Sequence, residues 1–193
     1  MKKGFTVVEV SILFVIFLIV AFLVAPLSLD DTVRTANISK WRAVQSDFAN
    51  LFFAINASRQ EDNEPFESVF DSVFKNEVTE LVEPYKITFL NGTFPSNTYR
   101  FNEYKLTTQK AIIAYKLFEN SNNDGLKGIL MYDVNGVKGP NVWGRDVFGL
   151  NIYEDKFEPF CKADSLSAQK QDCSKNGLGL CCSNYYLNGG SFD

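Results

Sequence analysis

The feature that most constrains this chain is an uncharged apolar run close to its start. The segment from Ile12 to Ala25 contains no charged residue, and apolar residues extend it back to Val7 and on to Leu29. A helix rises about 1.5 Å per residue, and the hydrocarbon core of a bilayer requires about 20 predominantly apolar residues. We therefore expect a helix over this segment to span a membrane.

The charges that flank the run predict its orientation. Lys2 and Lys3 precede it, whereas Asp30 and Asp31 follow it. Because cytoplasmic flanks carry an excess of Lys and Arg, the N-terminus is expected in the cytoplasm. The rest of the chain is then an exported domain attached to the inner, cytoplasmic membrane by a single pass.

One acidic residue, Glu9, does not fit a cleavable secretory signal peptide, which is the simplest alternative. Such a peptide has a basic leader, an apolar run and small residues at its cleavage site. Residues 21–28, AFLVAPLS, provide only a poor cleavage site. A carboxylate at the edge of hydrocarbon costs roughly 2 to 3 kcal/mol unless it has a partner. Glu9 is therefore a candidate functional residue.

The hexapeptide Gly4-Phe5-Thr6-Val7-Val8-Glu9, followed by the apolar run, resembles the N-terminal signature of type IV pilins and of the pseudopilins of type II secretion. This resemblance implies that a prepilin peptidase cleaves between Gly4 and Phe5 and methylates the new N-terminal residue. It also implies that the apolar helix anchors the protein before assembly and forms the filament core afterwards. Pro26 lies where the family commonly carries a helix-kinking proline.

The residue chemistry is compatible with these roles. Gly4 leaves room for a peptidase to approach the backbone. In a bundle of identical helices, Glu9 of one copy can reach the N-terminal amine of Phe5 in its neighbour, and this pair is much stronger in a dry environment than in water. Pro26 cannot donate a backbone hydrogen bond, so it bends or locally melts a helix.

The composition argues against several function classes. The chain has 193 residues and no histidine, which excludes Ser-His-Asp and Cys-His catalysis and zinc sites that contain histidine. Asp and Glu together number 23 against 19 Lys and Arg, so a concentrated basic surface for nucleic acid is not expected. We therefore expect neither an enzyme nor a specific nucleic-acid site.

Four cysteines lie in the C-terminal segment, at Cys161, Cys173, Cys181 and Cys182. In an exported domain this clustering predicts two disulfides, for which three pairings exist. A bond between adjacent cysteines is strained, so Cys161 and Cys173 are each expected to pair with one of Cys181 and Cys182. A zinc site built from four thiolates is the competing interpretation, although the adjacent pair lacks the usual C-x2-C spacing. The closed segment resembles the variable C-terminal loop of pilins.

The remaining pattern predicts an α+β fold with a long N-terminal helix, membrane-spanning in its first half, packed on an antiparallel sheet. Apolar residues at three- and four-residue spacing continue the helix to about Ser58, and a second such stripe predicts an extra helix that ends before Pro84. From Tyr85 the pattern alternates as in strands, and Asn91-Gly92 predicts a hairpin. The expected segments are a prepilin leader (1–4), a transmembrane or filament-core helix (5–29), its amphipathic half (30–58), a helical insertion (59–84), the antiparallel sheet (85–155) and a disulfide-closed C-terminal loop (156–193).

A second candidate site lies between two predicted strands. Asp133-x-Asn135-Gly136 resembles the opening of a calcium loop, and Asp146 follows shortly after. Carboxylate and amide oxygens suit calcium, but Lys138 intrudes and no glutamate completes the pattern. The segment also resembles DxNGxxGPNxxGxDxF loops of some pilin-like proteins, and some pseudopilins hold calcium in their C-terminal loops. The alternative is a turn in which Asp133 and Asn135 bond their own backbone and glycines supply positive φ.

The sequence thus predicts a structural subunit of a type IV pilus or a type II secretion pseudopilus. The resemblance implies several partners: the prepilin peptidase, other copies of this chain or related pilins, an inner-membrane assembly platform, and the membrane itself before assembly. The protein is then expected in an extracellular or periplasmic filament. Two alternatives remain open, a membrane-anchored exported binding domain and a minor tip pilin or adhesin.

Overall fold

The computed structural model describes residues 7–62, 64–83, 85–118 and 125–192. The predicted leader and the Gly4–Phe5 cleavage junction lie outside these residues. The chain divides into two compact units, with the boundary between Ala36 and Asn37. The two units are described separately.

The first unit contains the beginning of helix α1 (Val7–Asp62), which includes Glu9 and Pro26 in its backbone. Its most prominent feature is a series of nine consecutive large apolar side chains, Ile12 to Val20, whose exposed fractions range from 40% to 67%. No polar side chain interrupts this series. The described part of the first unit therefore leaves this apolar surface uncovered.

The prediction of a membrane-spanning first half, over residues 5–29, is wrong. Within residues 7–62, 64–83, 85–118 and 125–192, none of the helices is both long enough and apolar enough to cross a membrane. The prediction rested on the apolar run alone, and a span requires about 20 predominantly apolar residues to cross the bilayer core. A bilayer core is about 30 Å thick.

In the second unit, α1 continues as an amphipathic helix. Its buried apolar residues recur at three-, four- and seven-residue spacing, which places them on one face. Helix α2 (Phe66–Glu77) adds a second apolar stripe. The buried residues of the two helices are Ile38, Trp41, Val44, Phe48 and Ile55 in α1, and Phe66, Val69, Phe70 and Phe74 in α2.

Both stripes pack on a six-stranded antiparallel sheet, in which every strand pairs with the one that follows it in the chain. The α+β prediction, with a helix packed on an antiparallel meander, is confirmed. The strands are β1 (Val78–Val82), β2 (Tyr104–Thr107), β3 (Ile112–Leu117), β4 (Leu126–Asp133), β5 (Val147–Tyr153) and β6 (Phe157–Pro159).

The sheet separates two apolar cores, because successive side chains of a strand point to opposite faces. In β4, Leu130 and Tyr132 pack against the helices, in the first core. Ile129 and Met131 point to the second core, on the other face. This second core is covered by non-strand residues, among them Ile87, Phe89, Phe101, Trp143 and Phe160.

Two segments differ from the predicted pattern. Helix α2 ends at Glu77, and residues 78–82, predicted to be helical, form the edge strand β1.

Residues 85–90 do not join the sheet, and only Thr88 forms an isolated bridge, with Val142. The predicted turn at Asn91-Gly92 is present, since Gly92 has φ +80° and donates its N–H to Phe89 O at 2.9 Å. Alternation in this segment reflects burial in the second core, not strand pairing.

The C-terminal segment is more regular than the predicted loop. It contains α3 (Leu166–Asp172) and α4 (Cys182–Leu187) in addition to β6. The expected two disulfides are present, joining Cys161 to Cys181 and Cys173 to Cys182. Ser165 caps α3, since its side chain accepts a hydrogen bond from Ala168 N.

Candidate functional site

The strongest cluster of polar side chains lies in the loop that joins β4 to β5. Asp133 is the last residue of β4 and pairs with Val147, the first residue of β5. Because Asp146 immediately precedes Val147, antiparallel pairing brings the two carboxyl groups to the same end of the two strands. Both side chains are fully buried. The structure thus brings together Asp133, Asn135 and Asp146, the three residues that the sequence nominates as candidate ligands.

Asp133 accepts hydrogen bonds from the backbone of its own loop and from a distant tyrosine. Its Oδ1 accepts a hydrogen bond from Asn135 N at 3.1 Å, and its Oδ2 accepts one from the Tyr85 hydroxyl at 2.9 Å. Burial, followed by the charge of nearby Asp146, raises the pKa of Asp133 to about 8. Burial disfavours the ionised form, and so does a second carboxylate close by. At neutral pH the Asp133 carboxyl is therefore mostly protonated.

Asp146 organises the far end of the loop. Its Oδ1 accepts from Val142 N at 2.7 Å, and its Oδ2 accepts from Asn141 N at 2.8 Å and from Asn135 Nδ2 at 3.2 Å. Burial raises the pKa of Asp146, while the hydrogen bonds from these backbone groups oppose that change. A carboxylate that accepts several hydrogen bonds is stabilised in its ionised form. Asp146 is therefore the better placed of the two acids to carry the negative charge.

Two amide oxygens in the loop are buried without a hydrogen-bond partner in the described part of the chain, namely Asn135 Oδ1 and Asn141 Oδ1. With the carboxyl groups of Asp133 and Asp146 they make a set of oxygen donors of the type that calcium prefers. Asn141 has φ +54°, in the left-handed region that asparagine tolerates better than most residues. The donor chemistry therefore fits a hard cation.

The loop also closes through its own hydrogen bonds, as the turn interpretation requires. Each of the four carboxyl oxygens of Asp133 and Asp146 accepts at least one hydrogen bond from the protein. Gly136 has φ +73°, and a Cβ there would lie 2.8 Å from Lys110 O. These contacts give the loop a defined conformation without an ion, so the geometry favours the turn interpretation over a calcium site.

Sequence reasoning did not include two residues of this cluster. Tyr85 lies 48 positions before its partner Asp133, and no local pattern links them. Asn141 belongs to the Gly-Pro-Asn part of the quoted motif, so its presence beside Asp146 was accessible from the motif spacing. The contact between Tyr85 and Asp133 could not be predicted in this way.

A second group of metal-ligand types lies in the C-terminal segment. The ligand atoms of Cys161, Asp164 and Cys181 lie within 4.8 Å of one another. Both sulfurs, however, belong to the Cys161–Cys181 disulfide, and none of the cysteines is free. Zinc binds the thiolate form of cysteine. The alternative of a zinc site built from four thiolates is therefore not supported by this structure.

Comparisons with protein-family models, with curated proteins and with solved structures find no match to this chain. The functional argument therefore rests on the residues of the chain and on their geometry.

Proposed function

We propose that this protein is a structural subunit of a type IV pilus or of a type II secretion pseudopilus, cleaved after Gly4 and assembled through its N-terminal helix. The observation that carries the proposal is the exposed apolar series Ile12 to Val20 of α1. It begins shortly after the GFTVVE motif that resembles the prepilin signature, with Val10 and Ser11 between them. Large exposed apolar surfaces mark sites of interaction with other molecules.

The shape of this apolar surface favours a bundle over a single docking groove. Successive residues of a helix are rotated by about 100°, so nine consecutive apolar residues cover every side of the helix. A helix that docks in one groove has one apolar face and one polar face. A helix that is apolar all round is surrounded by partners, as in the core of a filament built from copies of one chain.

Glu9 supplies the polar contact in this proposal. After cleavage, the amine of Phe5 in one copy pairs with the carboxylate of Glu9 in the next and sets the axial register. The apolar surroundings strengthen the attraction and make an unpaired partner costly. The prepilin peptidase and the assembly platform are the further partners.

The two disulfides support an exported location, as an extracellular or periplasmic filament. Disulfides persist in oxidising compartments and are rare in the cytosol. Cys161–Cys181 and Cys173–Cys182 close the C-terminal segment of the second unit. A filament subunit exposed outside the cell gains from such cross-links because they limit unfolding.

Mass spectrometry of the mature N-terminus tests the proposed processing. The expected result is a chain that begins at Phe5 with a methylated amine. An N-terminus near Ser28 would instead identify a signal peptide and refute the proposal.

Substitution of Glu9 tests the proposed assembly. Glu9→Ala should be produced and cleaved normally but should enter filaments poorly, because the amine of Phe5 loses its partner. Asp30→Ala, in the same helix but outside the motif, is the matched control and should assemble as the unsubstituted chain does. Filaments are quantified by shearing and sedimentation. Normal incorporation of Glu9→Ala would contradict the register role.

A further inference from the structure

The second unit contains an open groove of about 350 Å³ between α1, α2 and the turn that joins β2 to β3. Its floor is apolar and includes Phe48 and Leu51 of α1, Phe74 of α2 and Ile113 of β3. Its size falls at the lower end of the range for pockets that hold small ligands or single large side chains. The groove therefore has room for an apolar group from another molecule.

The rim of the groove carries one charge. Among the described residues that line it, Asp47 is the only Asp, Glu, Lys or Arg, and its Oδ2 accepts a hydrogen bond from Gln109 Nε2 at 3.1 Å. The rest of the rim is uncharged and includes Asn50 and Thr108. A complementary occupant would present an apolar tip with a cation beside it.

Phe94 has these properties. Its side chain is 56% exposed, and Lys86 Nζ lies 4.8 Å from the centre of its ring. The turn that presents it is held by two backbone hydrogen bonds, Phe89 N to Thr93 O at 2.8 Å and Gly92 N to Phe89 O at 2.9 Å. An aromatic residue on an ordered turn loses little conformational freedom when it binds.

Phe53 is the other exposed aromatic residue among the described residues of the second unit, and it fits less well. Phe53 is 69% exposed, and its ring contacts the ring of Phe52. Charge complementarity with Asp47 therefore favours Phe94, whose ring lies against the Lys86 ammonium.

The groove and the Phe94 turn belong to opposite faces of the sheet. The groove opens onto the first core through Phe48 and Phe74. The turn is anchored in the second core through Ile87 and Phe89. One copy thus presents the aromatic group on one face and the groove on the other, so contact between them joins two copies head to tail. Contacts of this kind extend into open helical filaments unless they close into a ring.

We propose that Phe94 of one copy occupies the groove of a second copy, with Lys86 facing Asp47. The proposal rests on the proposed function, since it describes how the second units of neighbouring filament subunits meet. It adds this head-to-tail contact to the assembly made by the N-terminal helices.

Photo-crosslinking of the full chain tests this contact directly. Phe94 is replaced by p-benzoylphenylalanine, and equal amounts of ¹⁴N- and ¹⁵N-labelled chain are mixed and irradiated, both in solution and as filaments. Mass spectrometry should identify mixed-isotope crosslinks from position 94 to residues 44–54 or 107–113. Crosslinks to other regions, crosslinks within one copy only, or the absence of crosslinks in both samples would overturn the proposal.

Charge reversal provides a second, independent test. Asp47→Lys and Lys86→Glu should each raise the concentration needed for assembly by about tenfold, in line with the energies of interface residues. The double variant, Asp47→Lys with Lys86→Glu, should recover most of this loss. Phe94→Ala should weaken assembly similarly, and Phe53→Ala, at the other exposed phenylalanine of the second unit, is the control that should not.

The tests separate the two proposals. Filaments that form normally with Phe94→Ala, and with both charge reversals, would overturn the groove contact and leave the proposed function intact. A chain that is not cleaved at Gly4 and forms no filaments would refute the proposed function. In that case the solution crosslink still decides the groove contact.

Discussion

The buried carboxyl group of Asp133 should make this protein less stable as the pH rises from 5 to 8. Its side chain is fully buried, and burial together with the charge of Asp146 raises its pKa to about 8. In the unfolded chain the side chain of an aspartate has its usual pKa of about 3.9. At pH values between these two pKa values, the carboxyl group of Asp133 is protonated in the folded protein and ionised in the unfolded chain.

The sign and size of the effect follow from proton linkage. Stability rises with pH only where the unfolded state binds more protons, so a raised pKa in the folded state gives the opposite slope. One proton contributes about 1.4 kcal/mol per pH unit, so the free energy of unfolding should fall by up to about 4 kcal/mol between pH 5 and pH 8. The stabilising contribution is complete below about pH 4 and is lost as the pH rises through the pKa of Asp133.

Asp133→Asn isolates this contribution, because asparagine resembles the protonated carboxyl in shape and charge. Urea denaturation at pH 5, 6, 7 and 8, in the presence of EDTA, gives the free energy of unfolding. At pH 5 the variant and the unsubstituted protein should be similar, whereas at pH 8 the variant should be more stable by several kcal/mol. Asp155→Asn, at an exposed aspartate, is the control. Parallel pH curves for Asp133→Asn and the unsubstituted protein would refute the reasoning.

Repeating the measurement with millimolar calcium tests the other interpretation of the loop. A bound cation favours the ionised carboxyl groups of Asp133 and Asp146, so it would stabilise the protein most at pH 8 and remove the slope. The self-contained hydrogen bonding of the loop leads us to expect the same curves with and without calcium. A calcium-dependent gain at pH 8 that is absent in Asp133→Asn would show that the loop holds a cation.

Three further substitutions test the packing, each by urea denaturation at pH 6. Trp41→Ala should cost about 3 to 5 kcal/mol, since Trp41 is fully buried and donates Nε1–H to Ser183 O at 2.8 Å. Gly144→Ala should cost roughly 1 to 3 kcal/mol, because Gly144 has φ +81° and a Cβ there would lie 2.6 Å from Cys182 Sγ. Replacing Cys173 and Cys182 by serine together should cost about 2 to 4 kcal/mol, measured against the unsubstituted protein.

Much of the second unit could be predicted from local pattern. The amphipathic stripe of α1 and the apolar segments of β3, β4 and β5 have the spacing of the elements they form. The spacing of apolar residues predicts secondary structure well where one face of a helix or strand is buried. A short apolar segment such as 78–82 fits either a helix or a strand. Its pairing with β2 makes it a strand.

The segment 85–90 shows where local pattern is insufficient. Its alternating side chains suggest a strand, yet the alternation arises because Ile87 and Phe89 cover the second core. Its backbone hydrogen bonds go to other partners, for example Thr88 N to Asn141 O and Leu90 N to Leu178 O. Burial on one side produces the same period whether or not the backbone joins a ladder, so the sequence alone does not distinguish the two.

The candidate site was predictable in part for a similar reason. The spacing of Asp133, Asn135 and Asp146 belongs to one loop, so their proximity follows from the turn that the glycines allow. Tyr85 enters from a distant segment, and its hydroxyl is placed by packing in the second core. The raised pKa of Asp133 depends on burial and on Asp146, and neither effect is visible in the motif by itself.

The C-terminal segment connects the candidate site to helix α1 within the second unit. The hydroxyl of Tyr186 donates to Gly144 O at 3.1 Å in the β4–β5 loop, and Arg42 Nε donates to Tyr186 O at 2.8 Å from α1. The disulfide Cys173–Cys182 fixes the start of α4, which carries Tyr186. The segment therefore packs against other parts of the second unit and is not an isolated loop. Because its contacts reach both α1 and the β4–β5 loop, reduction of this disulfide should loosen both elements together.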